Sequence, residues 1–218
     1  GENDGAEFAA GTQPANELSP LQDRVLSVNG TATAYVELPV SSRFALNENW
    51  SIEAWVYPTV AADSMVLQRN VGVDNFVLGI DENGGNLLPY VKFAAADGSG
   101  DVLVTAATAD AIALNDWTHL AAVLDSENGF LRLFIDGTEQ AATTTAKVSA
   151  TQGAGPPYTR IGQGFTGYVD EVRIWNVTRT TAEMTISLYE PVDAGAEGLV
   201  SHLRFDDGGS APTIATDF

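Results

Sequence analysis

The side chains that most often carry out catalysis are scarce in this 218-residue sequence. It contains no cysteine, so a thiol nucleophile, a thiolate metal site and a disulfide are all excluded. The two histidines, His119 and His202, lie far apart along the chain, and neither belongs to an HExxH motif. No Ser-His-Asp set is recognisable either, so a structural role is expected for each histidine.

Paired carboxylates are the remaining catalytic option, because retaining glycosidases need two of them about 5–5.5 Å apart. Asp170 and Glu171 are adjacent, and adjacent residues of a strand point to opposite faces. Glu53 has no carboxylate at the second or fourth position after it. The sequence therefore predicts a protein that is not an enzyme, with a glycoside hydrolase as the weakest alternative.

Asp170 is the carboxylate whose position most needs an explanation. It shares strand parity with Val172 and Ile174, which are apolar and predicted to lie in the core. A buried charge without a partner is costly, so a partner is expected. Backbone N–H groups, Arg173 or a bound cation could each fill that role.

A second group of residues could bind a ligand without transforming it. Tyr90 and Lys92 alternate with Val91 and Phe93, so they are predicted to point away from the core. An aromatic ring beside polar groups is suited to holding a sugar ring. An ordinary solvated face is the alternative. The predicted ligand-binding residues are Arg69, Asp74, Tyr90 and Lys92.

The overall charge limits the choice of partner. The sequence has 29 acidic and 10 basic residues, which gives a formal net charge of -19. This argues against nucleic acid, whose phosphates require a basic face, and against an anionic membrane surface. No apolar run approaches the ~20 residues of a transmembrane helix. The acidity is compatible with divalent cation binding, or with solubility alone.

Alternating apolar residues predict the strands that would position these groups. In the stretch 115–138, Leu120, Ala122 and Leu124 occupy one face of a strand, and a turn at 126–129 leads into an equally apolar second strand. The same period of two recurs in about a dozen short segments separated by turn residues. No composition shift marks a second domain. The sequence therefore predicts a single all-β domain, a two-sheet antiparallel sandwich or jelly roll.

Two local signals add detail to this fold. The dipeptide Asn29-Gly30 predicts a tight hairpin that joins strands at 24–28 and 34–38. One short helix is predicted near 180–189, with Thr180 or Thr181 as its N-cap.

Three segments together resemble laminin-G-like, concanavalin-A-like jelly-roll domains. SIEAWVYP resembles the family's TIEAWVKP strand, and NDWTHLAAVLDSENGFLRLFIDG resembles its WHHVAVVYD…LYVDG hairpin. GYVDEVRIWNVTRTTAEM is similar to its G.IDEVRIWNRALSAEEI strand and following helix. The segments occur in the family's order, and the similarity covers about residues 25–189. The resemblance implies two facing antiparallel sheets, one of them concave.

The resemblance also implies a structural Ca²⁺ at the edge of the jelly roll, bound by Asp170. Ca²⁺ takes about 6–8 oxygen ligands, some of them carbonyls. The further ligands implied are Asn3, Asp4 and Asp217, from the family's D.SGNGNDG loop, and Asn29, from its FDG turn. Two departures exist: that loop is divided between the two ends of this chain, and Asn29 stands where the family usually has Asp.

The ends of the chain resemble two parts of one segment. Residues 198–218 are similar to the piece that precedes the next copy in tandem modules of this family, and residues 1–8 resemble its continuation. We therefore expect one domain over 1–218, with 1–20 as an irregular lead-in and 198–218 as a strand and tail, within a larger multidomain chain. A single module with a trailing strand is the alternative.

The predicted function is an extracellular binding or adhesion module, secreted or at the cell surface. A glycan is the favoured partner and a cell-surface protein the other, with no nucleic acid and no membrane insertion. A structural spacer repeat of a large surface adhesin, without a ligand of its own, is the alternative. This prediction of function depends mainly on likeness of fold.

Overall fold

The computed structural model describes residues 25–144, 148–188 and 192–206. These residues form β-strands, one short α-helix, α1 (Thr181–Ser187), and two turns of 3-10 helix at Ser42–Phe44 and Thr108–Asp110. The strands are β1 (Leu26–Asn29), β2 (Val36–Leu38), β3 (Asn49–Pro58), β4 (Ser64–Asn70), β5 (Asp74–Asn83), β6 (Asn86–Ala94), β7 (Asp101–Thr105), β8 (Thr118–Asp125), β9 (Phe130–Ile135), β10 (Thr138–Thr144), β11 (Tyr158–Ile161), β12 (Thr166–Trp175) and β13 (Leu199–Leu203).

The strands form two antiparallel sheets. Sheet I has the order β1-β12-β3-β8-β9-β10, and β13 also pairs with β12. Sheet II has the order β2-β11-β4-β5-β6-β7. This arrangement confirms the predicted all-β sandwich with a short helix near 180–189. No helix among the described residues is long and apolar enough to cross a membrane.

The core lies between the two sheets and follows the alternation of the strands. On β3, Ile52, Ala54 and Val56 point inward and are fully buried. The ring of Trp50 lies 5.7 Å from that of Phe76 and 6.4 Å from that of Phe93, centroid to centroid, so it joins sheet I to sheet II. Burial of each such side chain contributes roughly 1.5–3 kcal/mol, which makes this interior the main source of stability.

Helix α1 covers the outer face of sheet I. Met184 packs on the outward-facing Ala121, Val123 and Phe134, and Leu188 packs on Trp55 and Trp117. The helix begins with a capping box: the Thr180 hydroxyl accepts from Glu183 N, and the Glu183 carboxylate accepts from Thr180 N. The predicted N-cap is thereby confirmed at Thr180. No element of the described residues covers the outer face of sheet II in the same way.

The hairpin predicted at Asn29-Gly30 is wrong. β1 pairs with β12 in sheet I, and β2 pairs with β11 in sheet II, so the chain passes from one sheet to the other at this point. The Asn29 side chain accepts hydrogen bonds from Thr31 N (3.2 Å) and Thr31 Oγ1 (3.0 Å), and Gly30 has a positive φ of 75°. The dipeptide does specify a tight local turn, but such a turn does not determine which sheet receives the next strand.

Candidate functional site

A cavity of about 320 Å³ opens on the outer face of sheet II. It lies at the small end of the ~300–1,000 Å³ typical of ligand pockets. Strand register builds it: Tyr90 of β6 lies opposite Gly79 of β5 on one side and Thr105 of β7 on the other. Its lining residues are Asp63, Ile80, Asp81, Tyr90, Lys92, Leu103 and Thr105.

The Tyr90 ring leans across the sheet because its cross-strand neighbour is glycine. A Cβ at position 79 would lie 2.6 Å from both Cζ and Oη of Tyr90, and 2.7 Å from the Ser64 carbonyl oxygen. Glycine alone leaves room for the ring tip to rest on the backbone of β5. The tip of the ring therefore lies over Gly79, and Tyr90 lines the cavity. Burial raises the pKa of the Tyr90 hydroxyl, so the ring is neutral at physiological pH.

Lys92 is held in place beside this ring by Asp74. The Lys92 Nζ lies 2.7 Å from Asp74 Oδ2, and Asp74 Oδ1 accepts from the amides of Gln68 (2.8 Å) and Asn70 (3.0 Å). Burial alone would raise the pKa of Asp74, but the hydrogen bonds from Lys92, Asn70 and Gln68 lower it below its ordinary value. The hydrogen bond to Asp74 raises the pKa of Lys92. Asp74 therefore positions the ammonium group, which remains charged.

A β-bulge brings Asp74 to this face. Arg69 pairs with Phe76, but Asn70 pairs with Asp74, which leaves Asn75 as the extra residue of β5. The Asn75 side chain is fully buried and donates to the carbonyl oxygens of Leu46 (2.8 Å) and Thr151 (2.7 Å).

Arg69, in contrast, is predicted to bind ligand but does not line the cavity. Its register partner Phe76 belongs to the core, so Arg69 lies on the inner face of sheet II. It is 5% exposed, and its Nη1 lies 3.3 Å from the Thr159 hydroxyl. Burial lowers the pKa of this guanidinium. The parity that Arg69 shares with the core residue Leu67 explains the correction.

The structure thus brings together three of the four predicted ligand-binding residues: Tyr90, Lys92 and Asp74. Sequence reasoning missed the other five residues that line the cavity, which are Asp63, Ile80, Asp81, Leu103 and Thr105. The parity of Asp81 with Gly79 along β5 was an available signal. Thr105 and Leu103 lie beside Tyr90 and Lys92 because of the register between β7 and β6. The alternation within a single strand does not reveal this register.

A buried network of charges lies on the opposite side of the molecule, beneath α1. Glu53, Arg173 and His119 have no measurable exposure. Glu53 pairs with Arg179, and its Oε2 lies 3.1 Å from the Ser187 hydroxyl and 3.3 Å from His119 Nε2. Burial alone would raise the pKa of Glu53, but the hydrogen bond with His119 and the charges of Arg179 and Arg173 hold it well below its usual range.

Glu171 forms the second half of this network. It pairs with Arg173, and its Oε2 lies 2.7 Å from His202 Nε2. Arg173 Nη1 also donates to the carbonyl oxygen of Ser187 at the end of α1 (3.1 Å). Both histidines therefore have buried ionic partners, which the sequence spacing did not suggest. The network ties the helix to β3 and β12.

Asp170 lies on this same outer side, and the predicted inward orientation is wrong. β12 carries a bulge between Asp170 and Arg173, where Glu171 adopts a φ of 48°. Val169 pairs with core Val56, whereas Asp170 pairs with outward-facing Trp55. The extra residue places both Asp170 and Glu171 on the outer side, so their predicted separation onto opposite faces is wrong as well.

The Asp170 carboxylate is buried at 1% exposure and accepts from Glu171 N at 2.9 Å. Burial and the neighbouring charges of Glu171 and Asp206 raise its pKa well above the ordinary value. A bound cation would offset the repulsion between this carboxylate and the neighbouring negative charges.

The other predicted metal ligands do not gather around Asp170 within the described residues. Asn29 pairs with Thr166, four strand positions from Asp170, which corresponds to about 13 Å along β12. Asn3, Asp4 and Asp217 lie outside the described residues. Within residues 25–144, 148–188 and 192–206, no group of three or more His, Cys, Asp or Glu has metal-site geometry.

Two further cavities have less suitable linings. One of about 410 Å³ is lined by Asp110, Asp116 and Asp136 around the nearly buried Trp117. Another of about 320 Å³ lies beside α1, where the Arg179 guanidinium covers the Trp175 ring at 4.3 Å. The cavity of sheet II differs because an aromatic ring, an ammonium group and carboxylates line it together.

Sequence comparison relates this chain to one superfamily. The sequence model of the Concanavalin A-like lectin/glucanases superfamily matches residues 29–185. None of the curated proteins compared with the chain matches it.

Several solved structures share the fold. A protein from Bacteroides ovatus to which carbohydrate binding is ascribed superposes with a TM-score of 0.66 at 19% identity, covering 94% of this chain and 57% of that one. The chain thus spans little more than half the length of that protein. Domain 4 of an extracellular arabinanase from Geobacillus stearothermophilus, in complex with arabinotriose, gives 0.56 at 21% identity, with 87% and 86% covered. The CBM40 module of a Ruminococcus gnavus IT-sialidase gives 0.60 at 17% identity, with 74% and 94% covered.

Proposed function

Because this chain belongs to the concanavalin A-like lectin/glucanases superfamily, we propose that it is a carbohydrate-binding module whose binding site is the cavity on the outer face of sheet II. The observation that carries the proposal is the Tyr90 ring, whose tip Gly79 allows to lie over β5 and which lines the cavity. Lys92 beside the ring is a charged donor, and Asp81 is an acceptor for sugar hydroxyl groups. The arabinotriose complex of the arabinanase domain and the sialyllactose complexes of the CBM40 module support the choice of ligand class.

The test is a glycan array probed with the purified chain, followed by calorimetric titration of the best glycan. Binding that weakens by about tenfold or more in the Tyr90→Ala variant and persists in Tyr168→Ala supports the proposal, because Tyr168 is a 39% exposed tyrosine on sheet I. Absence of binding to every glycan would instead favour a structural spacer.

The module is proposed to be non-catalytic. The carboxylates that the sequence offered for catalysis, Asp170 and Glu171, are each 1% exposed and do not line the cavity. Incubation of the bound glycan with the protein is expected to release no new reducing ends. Release that depends on Asp63 or Asp81, the carboxylates of the cavity, would contradict this part of the proposal.

A structural Ca²⁺ at Asp170 is a further part of the proposal. The supporting observation is a buried carboxylate whose pKa is raised by burial and by the nearby charges of Glu171 and Asp206. The described residues do not supply a complete set of ligands by themselves. A bound Ca²⁺ would offset the repulsion among these carboxylates and stabilise the chain around β12.

Thermal unfolding with Ca²⁺ and with a chelator tests this point. Because the folded-state pKa of Asp170 is raised, its ionised form opposes folding at neutral pH, and Asp170→Asn is expected to raise the melting temperature in chelator. Added Ca²⁺ is expected to stabilise the unsubstituted chain and Asn29→Ala, but not Asp170→Asn. An equal response of Asp170→Asn and the unsubstituted chain would contradict a Ca²⁺ site at Asp170.

The module is also proposed to act outside the cell, as one domain of a larger secreted or surface protein. The extracellular arabinanase that contains a domain of this fold supports the setting. The strand predicted near the C-terminal end is β13, which pairs with β12 of the same sandwich. The lead-in at 1–20 and the tail at 207–218, on which the predicted tandem arrangement depends, lie outside the described residues.

A further inference from the structure

The cavity on sheet II carries an excess of negative charge. Asp63 and Asp81 line it directly, and Asp63 is fixed by accepting a hydrogen bond from Glu82 N at 2.8 Å. Lys92 is the cation of the lining, but its Nζ lies 2.7 Å from Asp74 and 3.9 Å from Asp101. Four carboxylates thus accompany one ammonium group, a formal charge of about −3 around the site.

The other cations of sheet II do not balance this charge. Among the described strands of the sheet, these are Arg69 and Arg160. Arg69 lies on the inner face. Arg160 pairs with Glu37 at 2.8 Å, and its guanidinium lies over the rings of Tyr35 (4.2 Å) and Tyr158 (4.0 Å). Among the described strands of sheet II, an incoming anion would therefore meet no outward-facing cation that lacks a carboxylate partner.

The charge has opposite consequences for two classes of sugar. A carboxylate accepts hydrogen bonds and cannot donate them, so Asp63 and Asp81 suit the hydroxyl groups of a neutral sugar. A sialic or uronic acid would bring a further carboxylate against them, and like charges brought together weaken association. The pKa of Tyr90 reflects these surroundings. Burial raises it most, the charges of Asp74, Asp81 and Asp63 raise it further, and the charge of Lys92 lowers it.

We propose that this cavity binds uncharged sugars, which stack on Tyr90 and donate hydroxyl hydrogen bonds to Asp63 and Asp81, and that it discriminates against sialylated and uronic acid-containing glycans. The proposal rests on the proposed function and deepens it. It also separates this chain from the CBM40 module of the same fold, whose structures contain sialyllactose. The difference would come from the side chains on a shared scaffold, which is where binding specificity resides.

The experiment is an array on which each neutral oligosaccharide stands beside its sialylated or uronic acid counterpart, with titration of the best pair at low and moderate salt. The neutral member is expected to bind at least tenfold more tightly, and the difference is expected to shrink as salt screens the carboxylates. Tighter or equal binding of the acidic member would overturn the inference but leave the proposed function intact. Binding of neither kind would remove the proposed function itself.

A charge-matched pair of variants isolates the cause. In Asp63→Asn with Asp81→Asn, the preference for the neutral glycan is expected to fall at least threefold, because an acidic sugar is no longer repelled. The control is Glu127→Gln with Asp193→Asn, which removes the same charge from two exposed loops of the described chain outside the cavity. An equal loss of preference in the control would assign the effect to net charge and overturn a role for Asp63 and Asp81.

Discussion

At the scale of single residues, the position of the Tyr90 ring depends on Gly79, which has no side chain and cannot itself contact a ligand through one. Gly79 lies opposite Tyr90 in register, and any larger side chain there would collide with the ring and with the Ser64 carbonyl. Glycine usually weakens a strand, because it provides no side chain to pack and is entropically costly to order. Here an aromatic neighbour covers it, which is a recognised way of compensating a glycine in a sheet.

The Tyr90 platform leads to a prediction about affinity. Tyr90→Ala removes the stacking surface and is expected to weaken glycan binding by about tenfold or more, equivalent to about 1.4 kcal/mol. Tyr90→Phe keeps the ring and is expected to retain most of the affinity. Isothermal titration measures both, and the melting temperature of each variant shows whether the fold is intact. Equal weakening by the two substitutions would indicate that the hydroxyl group, and not the ring face, binds the ligand.

At the scale of secondary-structure elements, α1 and the buried charges are one unit. The helix has only seven residues, too few to be stable alone in water. Met184 and Leu188 supply its apolar contacts, and the guanidinium of Arg173 reaches the Ser187 carbonyl at its end. Arg179 connects the same helix to Glu53, and its Nη2 donates to the Glu183 carbonyl at 2.8 Å.

Glu53 is expected to make stability depend on pH. Its folded-state pKa is lowered, so its contribution is present above the unfolded-state value near 4.5 and is lost as the pH falls below it. Glu53→Gln leaves Arg173 and Arg179 without this buried counter-charge and is expected to cost about 3–5 kcal/mol at pH 7. Urea unfolding at several pH values measures the cost, which should diminish in acid.

Glu37→Gln is the control for this measurement. Glu37 pairs with Arg160 on the surface, where its side chain is 43% exposed, so the substitution is expected to cost less than about 1 kcal/mol. A cost for Glu53→Gln as small as that of the control, or one that does not change with pH, would contradict the role given to the buried pair.

The two sheets show which elements a sequence specifies on its own. The strand at 118–125 alternates without interruption, and Leu120, Ala122 and Leu124, predicted to share one face, all lie in the core because parity holds along an unbroken strand. A bulge inserts one residue and reverses parity, and the sequence gives no sign of it. Such bulges are why the predicted orientation of Asp170 is wrong and why Asp74 reaches the outer face of sheet II. The cavity combines residues of different strands, and only the register between strands brings them together.

At the scale of the whole molecule, the two sheets of the sandwich differ in how their outer faces are used. Sheet I is covered on both faces, by the core and by α1 with its buried charges, whereas sheet II is covered on its inner face and presents the cavity on the other. Because the two sheets share one core, the packing of the entire domain keeps the backbone around the cavity in place. Small ligand-facing changes can therefore alter specificity with little effect on folding.

Trp50 tests how strongly the two sheets depend on each other. It is fully buried on β3 and contacts Phe76 and Phe93 of sheet II, so Trp50→Ala is expected to cost about 3–5 kcal/mol. Its indole Nε1 has no hydrogen-bond partner among the residues that the structure describes, so Trp50→Phe is expected to cost clearly less. Urea unfolding followed by both circular dichroism and tryptophan fluorescence measures these costs, with Tyr168→Ala as the surface control. A change in Trp50→Ala below about 1 kcal/mol, or separate transitions from the two signals in the unsubstituted chain, would mean that the sheets unfold independently.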